Sequence, residues 1–390
     1  MKRIYLDHAA TTPLDGDVSA AMMPYFSEQF GNPSSVHSYG REAQQAVDRA
    51  RHMVADVFGC LSQEVIFTGS ATESNNFAIQ GVVRNAQKRG NPVHVITSSI
   101  EHESVTSPCK QMEREGVSVT YLPVSQDGFI DPTDVAQALT EHTVLVSVMY
   151  ANNEIGTIQP ISEISEIIQE HNLKTKSYKL KTVFHTDAAQ AAYFLPCRVA
   201  DLGVDLMTVS GHKAYGPKGT GVLYVKKNTE LIPLIFGSGQ EYGKRSGTEN
   251  VPGIVGISTA LAKAVADRDE TGKRIIDLRD HLIARVCKEI PGASLNGSQK
   301  ERLPGNANFL FRGTRSQDLL YMLDEEGVAA SAGSACQSKA LSYSHVLHAL
   351  GLSEKDANAS IRFSLGKGTT KKDIDSAVSI LVKSIRKLQE

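Results

Sequence analysis

Between residues 64 and 226, short apolar runs alternate with longer amphipathic stretches, and this alternation restricts the possible folds more than any other feature of the chain. Apolar runs of about four to eight residues bounded by turn residues are typical of buried strands, whereas longer amphipathic stretches are typical of helices. A β–α–β–α order produces a mainly parallel sheet with helices on both faces. We therefore predict an α/β fold whose large domain contains such a sheet.

The predicted elements follow one another with short connections. The helix over 132–141 opens with Asp131 and Pro132, which suit the N-cap and first helical positions. The lysine-rich stretch 173–181 is predicted as a solvated loop. Strands are predicted at 64–68, 93–97, 117–122, 143–149, 182–186, 204–210 and 221–225, and the other helices at 73–89, 103–115 and 162–171.

Past residue 250 the pattern changes to a long helical stretch over 252–287, shorter pieces such as a strand at 308–311, and a closing amphipathic helix over 371–388. This change predicts a second, smaller α+β domain. It contains a stretch of small and polar residues that buries little, and we expect this stretch to be mobile. The predicted boundaries are 14–255 for the large domain, 1–13 with 256–390 for the small domain, and about 330–342 for the mobile loop.

Composition excludes several classes of protein. The 390 residues carry a formal net charge of −2, which gives no support for nucleic-acid binding. No apolar run is long enough to span a membrane, and the N-terminus lacks the apolar segment of a signal peptide, so a cytoplasmic location is predicted. The five cysteines form no C-x-x-C pair, and their odd number argues against a disulfide framework. We expect no resident metal site.

Lys213 follows the predicted strand 204–210 in a glycine-rich connection. A partly desolvated lysine at a strand end can lose its proton and form a Schiff base. A single loop lysine is more often an ordinary surface residue. Its interpretation therefore depends on which residues accompany it.

Other polar residues follow neighbouring strands, and ligands of parallel α/β sheets bind outside the carboxyl ends of the strands. Residues 69–76 open a helix with small and hydroxyl side chains, which suits a phosphate but also suits ordinary N-capping by Ser70 or Thr72. His102, Asn153 and the segment 187–190 follow three further strands.

Together these residues are the set that pyridoxal phosphate needs. Lys213 would bind it covalently, and Asp187 would pair with the pyridine nitrogen so that the ring acts as an electron sink. Gln190 would hydrogen-bond the ring hydroxyl, His102 would stack on the ring and Asn153 would orient it. The predicted phosphate ligands are Ala71, Thr72, Ser210 and His212.

The motif Ser210–Lys213 followed by Gly216-Pro217-Lys218-Gly219 resembles the lysine motif of the class V aminotransferases, and more narrowly that of the NifS/IscS-like cysteine desulfurases. The resemblance extends over nearly the whole chain. It includes residues 5–13, 31–35, 71–76, 101–102, 152–154, 185–190, 245–248 and 334–336.

The resemblance implies the type I fold of pyridoxal-phosphate-dependent transferases and a homodimer in which Thr248 reaches the cofactor phosphate of the neighbouring subunit. It also implies that Arg362 and Asn32 bind the substrate carboxylate. A guanidinium suits that role, although a structural salt bridge of Arg362 explains its apolar flanks equally well. Cys336 would be the residue that becomes a persulfide.

The predicted reaction is desulfuration of L-cysteine to L-alanine, with Lys213 moving the Cα proton and His102 assisting. The sulfur on Cys336 would pass to an iron–sulfur scaffold, where Cys336 contacts a cluster transiently, or to a thiolation protein. Selenocysteine lyase is the nearest alternative. A class V transaminase would not need Cys336, and a non-catalytic scaffold would not need Lys213 and Asp187 together.

Overall fold

The computed structural model describes residues 3–90, 92–175, 181–333 and 344–389. The strands are β1 (Ile4–Tyr5), β2 (Val65–Thr68), β3 (His94–Ser98), β4 (Ser118–Leu122), β5 (Thr143–Ser147), β6 (Val183–Asp187), β7 (Leu206–Ser210), β8 (Gly221–Val225), β9 (Ala293–Asn296), β10 (Asn306–Phe311), β11 (Val328–Ala329) and β12 (Ser360–Ser364). The helices are α1 (Gly16–Met22), α2 (Pro24–Ser27), α3 (Ser38–Phe58), α4 (Ala71–Gln87), α5 (Glu103–Arg114), α6 (Pro132–Ala138), α7 (Ile161–Lys174), α8 (Val199–Leu202), α9 (Val251–Glu289), α10 (Ser316–Glu325), α11 (His345–Ala349), α12 (Glu354–Ala357) and α13 (Lys371–Gln389).

A seven-stranded sheet in the order β2-β8-β7-β6-β5-β3-β4 confirms the predicted α/β fold. Its pairings from β7 to β4 are all parallel, whereas β8 is antiparallel to both β7 and β2. The connection from β7 to β8 is too short for a crossover helix, so the chain returns in the opposite direction. The carboxyl ends of β5, β6 and β7 therefore meet at one edge of the sheet.

Both faces of this sheet are covered, as the continuous apolar runs predict. Successive residues of β2 illustrate the alternation, because Val65 and Phe67 pack in one hydrophobic cluster with α3, and Ile66 packs in another with α4. All three side chains are buried.

Two predicted boundaries need correction. Asp131 caps α6 as expected, accepting a hydrogen bond from the Thr133 backbone, but the helix ends at Ala138 rather than 141 because Leu139 has extended backbone angles. Helix α7 continues to Lys174, inside the stretch predicted as a loop, and residues 176–180 of that stretch lie outside the described residues. Lys174 pairs with Glu170 one turn earlier, and its charge suits a helix C-terminus.

A second hydrophobic cluster contains the antiparallel sheet β12-β10-β9, the short parallel pair β1-β11, and helices α10 and α13. Helix α9 contributes to both cores, through residues up to Ala264 in the first and from Ile275 in the second. The predicted domain boundary at 255/256 falls within this helix and stays a prediction.

In the described part of the chain, no helix has the length and apolar character required to cross a membrane.

A buried ion pair fixes strand β2 beneath helix α3. The Arg51 guanidinium donates two hydrogen bonds to the Glu241 carboxylate, at 2.6 and 2.7 Å, and a third to the backbone oxygen of Val65 at 2.6 Å. The same carboxylate accepts a hydrogen bond from the backbone N–H of Phe67. The pair therefore holds the strand that leads into residues 69–72.

We expect Glu241→Ala to lower the free energy of unfolding by about 3–5 kcal/mol, because it leaves the Arg51 charge buried without its partner. Glu230→Ala is the control, since its pair with Arg89 is exposed, with 65% of the Glu230 side chain accessible against 3% for Glu241. Urea unfolding of both variants measures the difference. Equal destabilisation by the two substitutions would contradict this assignment.

Candidate active site

A cavity of about 230 Å³ lies at the carboxyl ends of β5, β6 and β7. Most of the predicted site residues line it, although the sequence places them in separate connections. These residues are Ala71, Thr72, His102, Asn153, Asp187, Gln190, Ser210, His212, Lys213 and Arg362.

Three predicted residues are not brought to this cavity by the described structure. Thr248 is exposed and lines a different cavity, together with Gly69 and Arg245. Asn32 lies on the surface, where its side-chain oxygen accepts a hydrogen bond from the backbone of Ser34 at 2.9 Å. Cys336 lies outside the described residues, so its predicted role stays a prediction.

Lys213 ends a short 3-10 turn that directly follows β7. Its Nζ donates hydrogen bonds to the backbone oxygens of Ala9 at 2.6 Å and Ala10 at 2.7 Å. The turn is closely packed, because a Cβ added at Gly211 would clash with Thr220 Oγ1. The lysine is thus directed toward the N-terminal segment at the cavity wall.

That N-terminal segment is fastened to the lysine turn. Thr12 donates to the backbone oxygen of His212 through both its N–H and its hydroxyl, at 3.0 and 3.1 Å, and accepts from the Tyr215 N–H at 2.9 Å. Gln190 Nε2 donates to the Ala9 oxygen at 3.0 Å. Residues 9–12 therefore form one side of the site.

Asp187 ends β6 and is held by two donors. Its Oδ1 accepts from the Ala189 N–H at 2.9 Å, and its Oδ2 accepts from Asn75 Nδ2 at 2.7 Å. Asn75 was not predicted as a site residue. It lies four positions after Ala71 on α4, so the two residues are on the same side of the helix. That spacing is the sequence feature that could have placed Asn75 near the site.

His102 is the N-cap of α5, and its Nδ1 lies 3.1 Å from the Ser104 backbone nitrogen and 2.8 Å from the Ser104 hydroxyl. Ser104 in turn lies 2.8 Å from Asn75 Nδ2. The cavity residue His102 is therefore connected to Asp187 through two side chains that the sequence analysis did not assign to the site.

The start of α4 has unpaired backbone N–H groups of the kind that suit an anion. Ser70 caps the helix by accepting from the Glu73 N–H, and Ala71 and Thr72 occupy its first turn, where backbone N–H groups have no acceptor within the helix. Burial, with smaller contributions from Lys213 and Lys218, lowers the pKa of His212 to about 4. His212 is consequently a neutral imidazole at neutral pH, and its Nδ1 lies 3.1 Å from Thr11 Oγ1.

Arg362 makes the structural salt bridge that the sequence left open, and its role in binding a carboxylate stays a prediction. Its side chain is almost fully buried, with Nη2 paired to Asp7 at 2.9 Å and Nη1 donating to the Asn153 backbone oxygen at 2.9 Å. Its Nε has no hydrogen-bond partner among the described residues, although the side chain lines the cavity. The Arg362 side chain thus places a guanidinium group at the wall of the cavity.

The backbone of Arg362 also pairs with Ser331. The two residues exchange hydrogen bonds, from the Arg362 N–H to the Ser331 oxygen at 2.7 Å and from the Ser331 N–H to the Arg362 oxygen at 3.1 Å. Ser331 is the point from which the chain leaves toward Cys336.

Glu101 is a buried carboxyl group that the sequence analysis did not assign to the site. Its Oε1 accepts from Ser98 Oγ at 2.7 Å and from the Met149 N–H at 2.8 Å. Burial, with a smaller contribution from the Asp187 charge, raises the pKa of Glu101 to about 8. Glu101 is therefore protonated at neutral pH beside the cavity.

We expect Glu101→Gln to change how stability depends on pH. The native carboxyl keeps its proton up to about pH 8, whereas the unfolded chain releases it near 4.5. The contribution is thus complete below the unfolded pKa and is lost as pH rises through the native one, at about 1.4 kcal/mol per pH unit. Glutamine mimics the protonated group, so urea unfolding at pH 5, 6.5 and 8 should show the variant gaining stability over the native chain.

Glu103→Gln is the control, because it removes an exposed negative charge two residues from Glu101 and leaves the buried carboxyl in place. Parallel profiles for Glu101→Gln and the native chain would show that Glu101 is ionised in the folded protein.

Residues 4–377 match the family model described as aminotransferase class V. The chain is 47% identical to a cysteine desulfurase IscS of Dictyoglomus turgidum, over 100% of this chain and 96% of that protein. It is 42% identical to a cysteine desulfurase IscS of Methanosarcina thermophila, over 100% and 93% of the two chains.

Among solved structures, a NifS-like protein is 35% identical, with a TM-score of 0.90 over 98% and 99% of the chains. A structure described as SspA in complex with cysteine is 37% identical, with a TM-score of 0.81 over 93% and 98%.

Proposed function

This chain belongs to the class V aminotransferase family, among its cysteine desulfurases, and from that premise we propose that it removes the sulfur of L-cysteine with pyridoxal phosphate as cofactor. The products are L-alanine and a persulfide on Cys336. One observation carries the proposal: Lys213, Asp187, the first turn of α4 and the side chain of Arg362 all line a single cavity.

The residues of the cavity fit pyridoxal phosphate, the cofactor that this family generally uses. The N-terminus of the 17-residue helix α4 suits a phosphate, a carboxylate at Asp187 suits a protonated pyridine nitrogen, and the Lys213 amine suits an aldehyde. Bound there, the cofactor supplies an electron sink for charge that develops at the substrate Cα.

The chain's own groups hold and move the reacting parts. The Asn75 amide and the Ala189 N–H fix the orientation of the Asp187 carboxylate, and the Arg362 guanidinium binds the carboxylate of L-cysteine. The Lys213 amine takes the proton from the substrate Cα. The Cys336 thiolate attacks the substrate sulfur, so that an S–S bond forms as the C–S bond breaks. The electron pair of the C–S bond stays with the substrate carbon, which takes up a proton and becomes the methyl group of alanine.

We also propose a homodimer. Large apolar side chains stand exposed in two segments, including Phe26 at 60%, Phe30 at 66% and Phe236 at 78% accessible, as expected of a surface covered by a second subunit. Thr248 is exposed beside the start of α4, in a cavity that also contains Gly69, which supports a contact made across the two copies. An iron–sulfur scaffold or a thiolation protein as sulfur acceptor, and a cytoplasmic location, remain predictions from the sequence.

We expect Cys336→Ser to reduce alanine formation from L-cysteine to background while the protein retains the visible absorption of its bound cofactor. The hydroxyl that replaces the thiol cannot accept a sulfur atom as a thiolate does. Cys287→Ser, which removes an exposed cysteine on α9, is the matched control and should turn over normally. Normal desulfuration by Cys336→Ser would show that another group is the nucleophile, and competition between cysteine and selenocysteine would test the lyase alternative.

We expect Arg362→Lys to raise the KM for L-cysteine, because an ammonium group cannot reproduce the planar guanidinium and a hydrogen bond between charged groups contributes about 1.5–3 kcal/mol. Cysteamine, which has no carboxylate, is the internal control. The variant should lose most of the native preference for cysteine over cysteamine. Equal losses on both compounds would indicate that Arg362 supports only the structure of the site.

A further inference from the structure

Four side chains connect the cavity wall to the carboxylate at the end of β6: His102, Ser104, Asn75 and Asp187. The successive distances are 2.8 Å from His102 Nδ1 to Ser104 Oγ, 2.8 Å from that hydroxyl to Asn75 Nδ2, and 2.7 Å from Asn75 Nδ2 to Asp187 Oδ2. Ser104 and Asn75 are buried.

The direction of each hydrogen bond follows from its neighbour. A carboxylate only accepts, so the Asn75 side chain must turn its NH₂ group toward Asp187. The same nitrogen donates to Ser104 Oγ. Asn75 Oδ1 is left buried with no partner in the described part of the chain. Rotating the amide by 180° would place its oxygen against Asp187 Oδ2, and two acceptors would then repel each other. An unpaired Asn75 Oδ1 is less unfavourable than this repulsion.

Because Ser104 Oγ accepts from Asn75, its hydroxyl hydrogen is available for His102 Nδ1. The backbone N–H of Ser104, 3.1 Å away, points to the same ring nitrogen and can only donate. Two donors therefore converge on Nδ1. A proton on Nδ1 would be directed at both donor groups, and Nδ1 could no longer accept the hydrogen bond that caps α5.

We propose that Ser104, oriented by Asn75, holds His102 in the tautomer with its proton on Nε2. His102 then presents an N–H donor to the bound substrate and has no free lone pair with which to act as a base. If His102 cannot act as a base, Lys213 alone removes the Cα proton, and this consequence rests on the proposed function. The tautomer itself depends only on the contacts around the ring.

Long-range ¹H–¹⁵N NMR correlation on the ¹⁵N-histidine-labelled holoenzyme tests the tautomer directly, with His102→Gln used to assign the ring signals. We expect a protonated Nε2 and an unprotonated Nδ1 for His102. His37 is an internal reference, because it caps α3 through Nδ1 with a backbone donor at 3.3 Å and no hydroxyl. A proton on Nδ1 of His102, or two averaged tautomers in the native chain, would overturn the proposal.

The role of Ser104 is tested by three substitutions. Ser104→Ala should increase the Nδ1–H population of His102 and lower kcat about 3- to 10-fold, the factor expected for one lost hydrogen bond, with little change in the KM for cysteine. Ser104→Thr keeps both donors and should restore the native signals. Ser99→Ala is the matched control, since the Ser99 hydroxyl is buried at the same strand end without a hydrogen-bond partner among residues that the structure describes.

These readouts separate the inference from the function on which it rests. Unchanged ring signals in Ser104→Ala would show that the hydroxyl does not set the tautomer. The predicted tautomer in a holoenzyme that releases no alanine from cysteine would instead support the contact network and reject the desulfurase activity.

Discussion

Strands β5, β6 and β7 run in the same direction, and the site depends on this pairing. Each strand ends at the same edge of the sheet, so the segments that follow them deliver Asn153, Asp187 and Lys213 to one cavity. The backbone hydrogen bonds of these central strands are buried beneath helices on both faces, which makes the edge rigid. Polar groups far apart in the chain therefore keep fixed relative positions.

The second core completes the site by adding groups that the sheet lacks. Strand β12 carries Arg362 into the cavity, and the segment after β1 supplies the carbonyl groups that hold Lys213. Asp7 lies in that same N-terminal segment and neutralises Arg362. Arg362 is thus paired with Asp7 across the N-terminal segment, while its Nε has no hydrogen-bond partner among the described residues.

The sequence predicted the sheet well because strands buried on both faces are nearly uninterrupted apolar runs. It did not predict the antiparallel direction of β8, since direction depends on pairing between strands. The contacts of Asn75, Ser104 and Glu101 were equally invisible, because a polar residue in or beside a helix shows its partner only after tertiary packing. Residues within a recognisable motif, such as Lys213 and Asp187, could be assigned to the site from the sequence. Two other assigned residues lie elsewhere in the single chain, Asn32 on the surface and Thr248 in another cavity.

The backbone pairing of Arg362 with Ser331 also anchors the start of the short connection that leads to Cys336. Cys336 lies five positions after Ser331, so even a fully extended chain keeps its Cα within about 18 Å of the anchored residue. In the proposed function, Arg362 would therefore both bind the substrate carboxylate and anchor a short tether. The acceptor of the sulfur would have to bring its receiving group close to this anchor, because the tether is only five residues long.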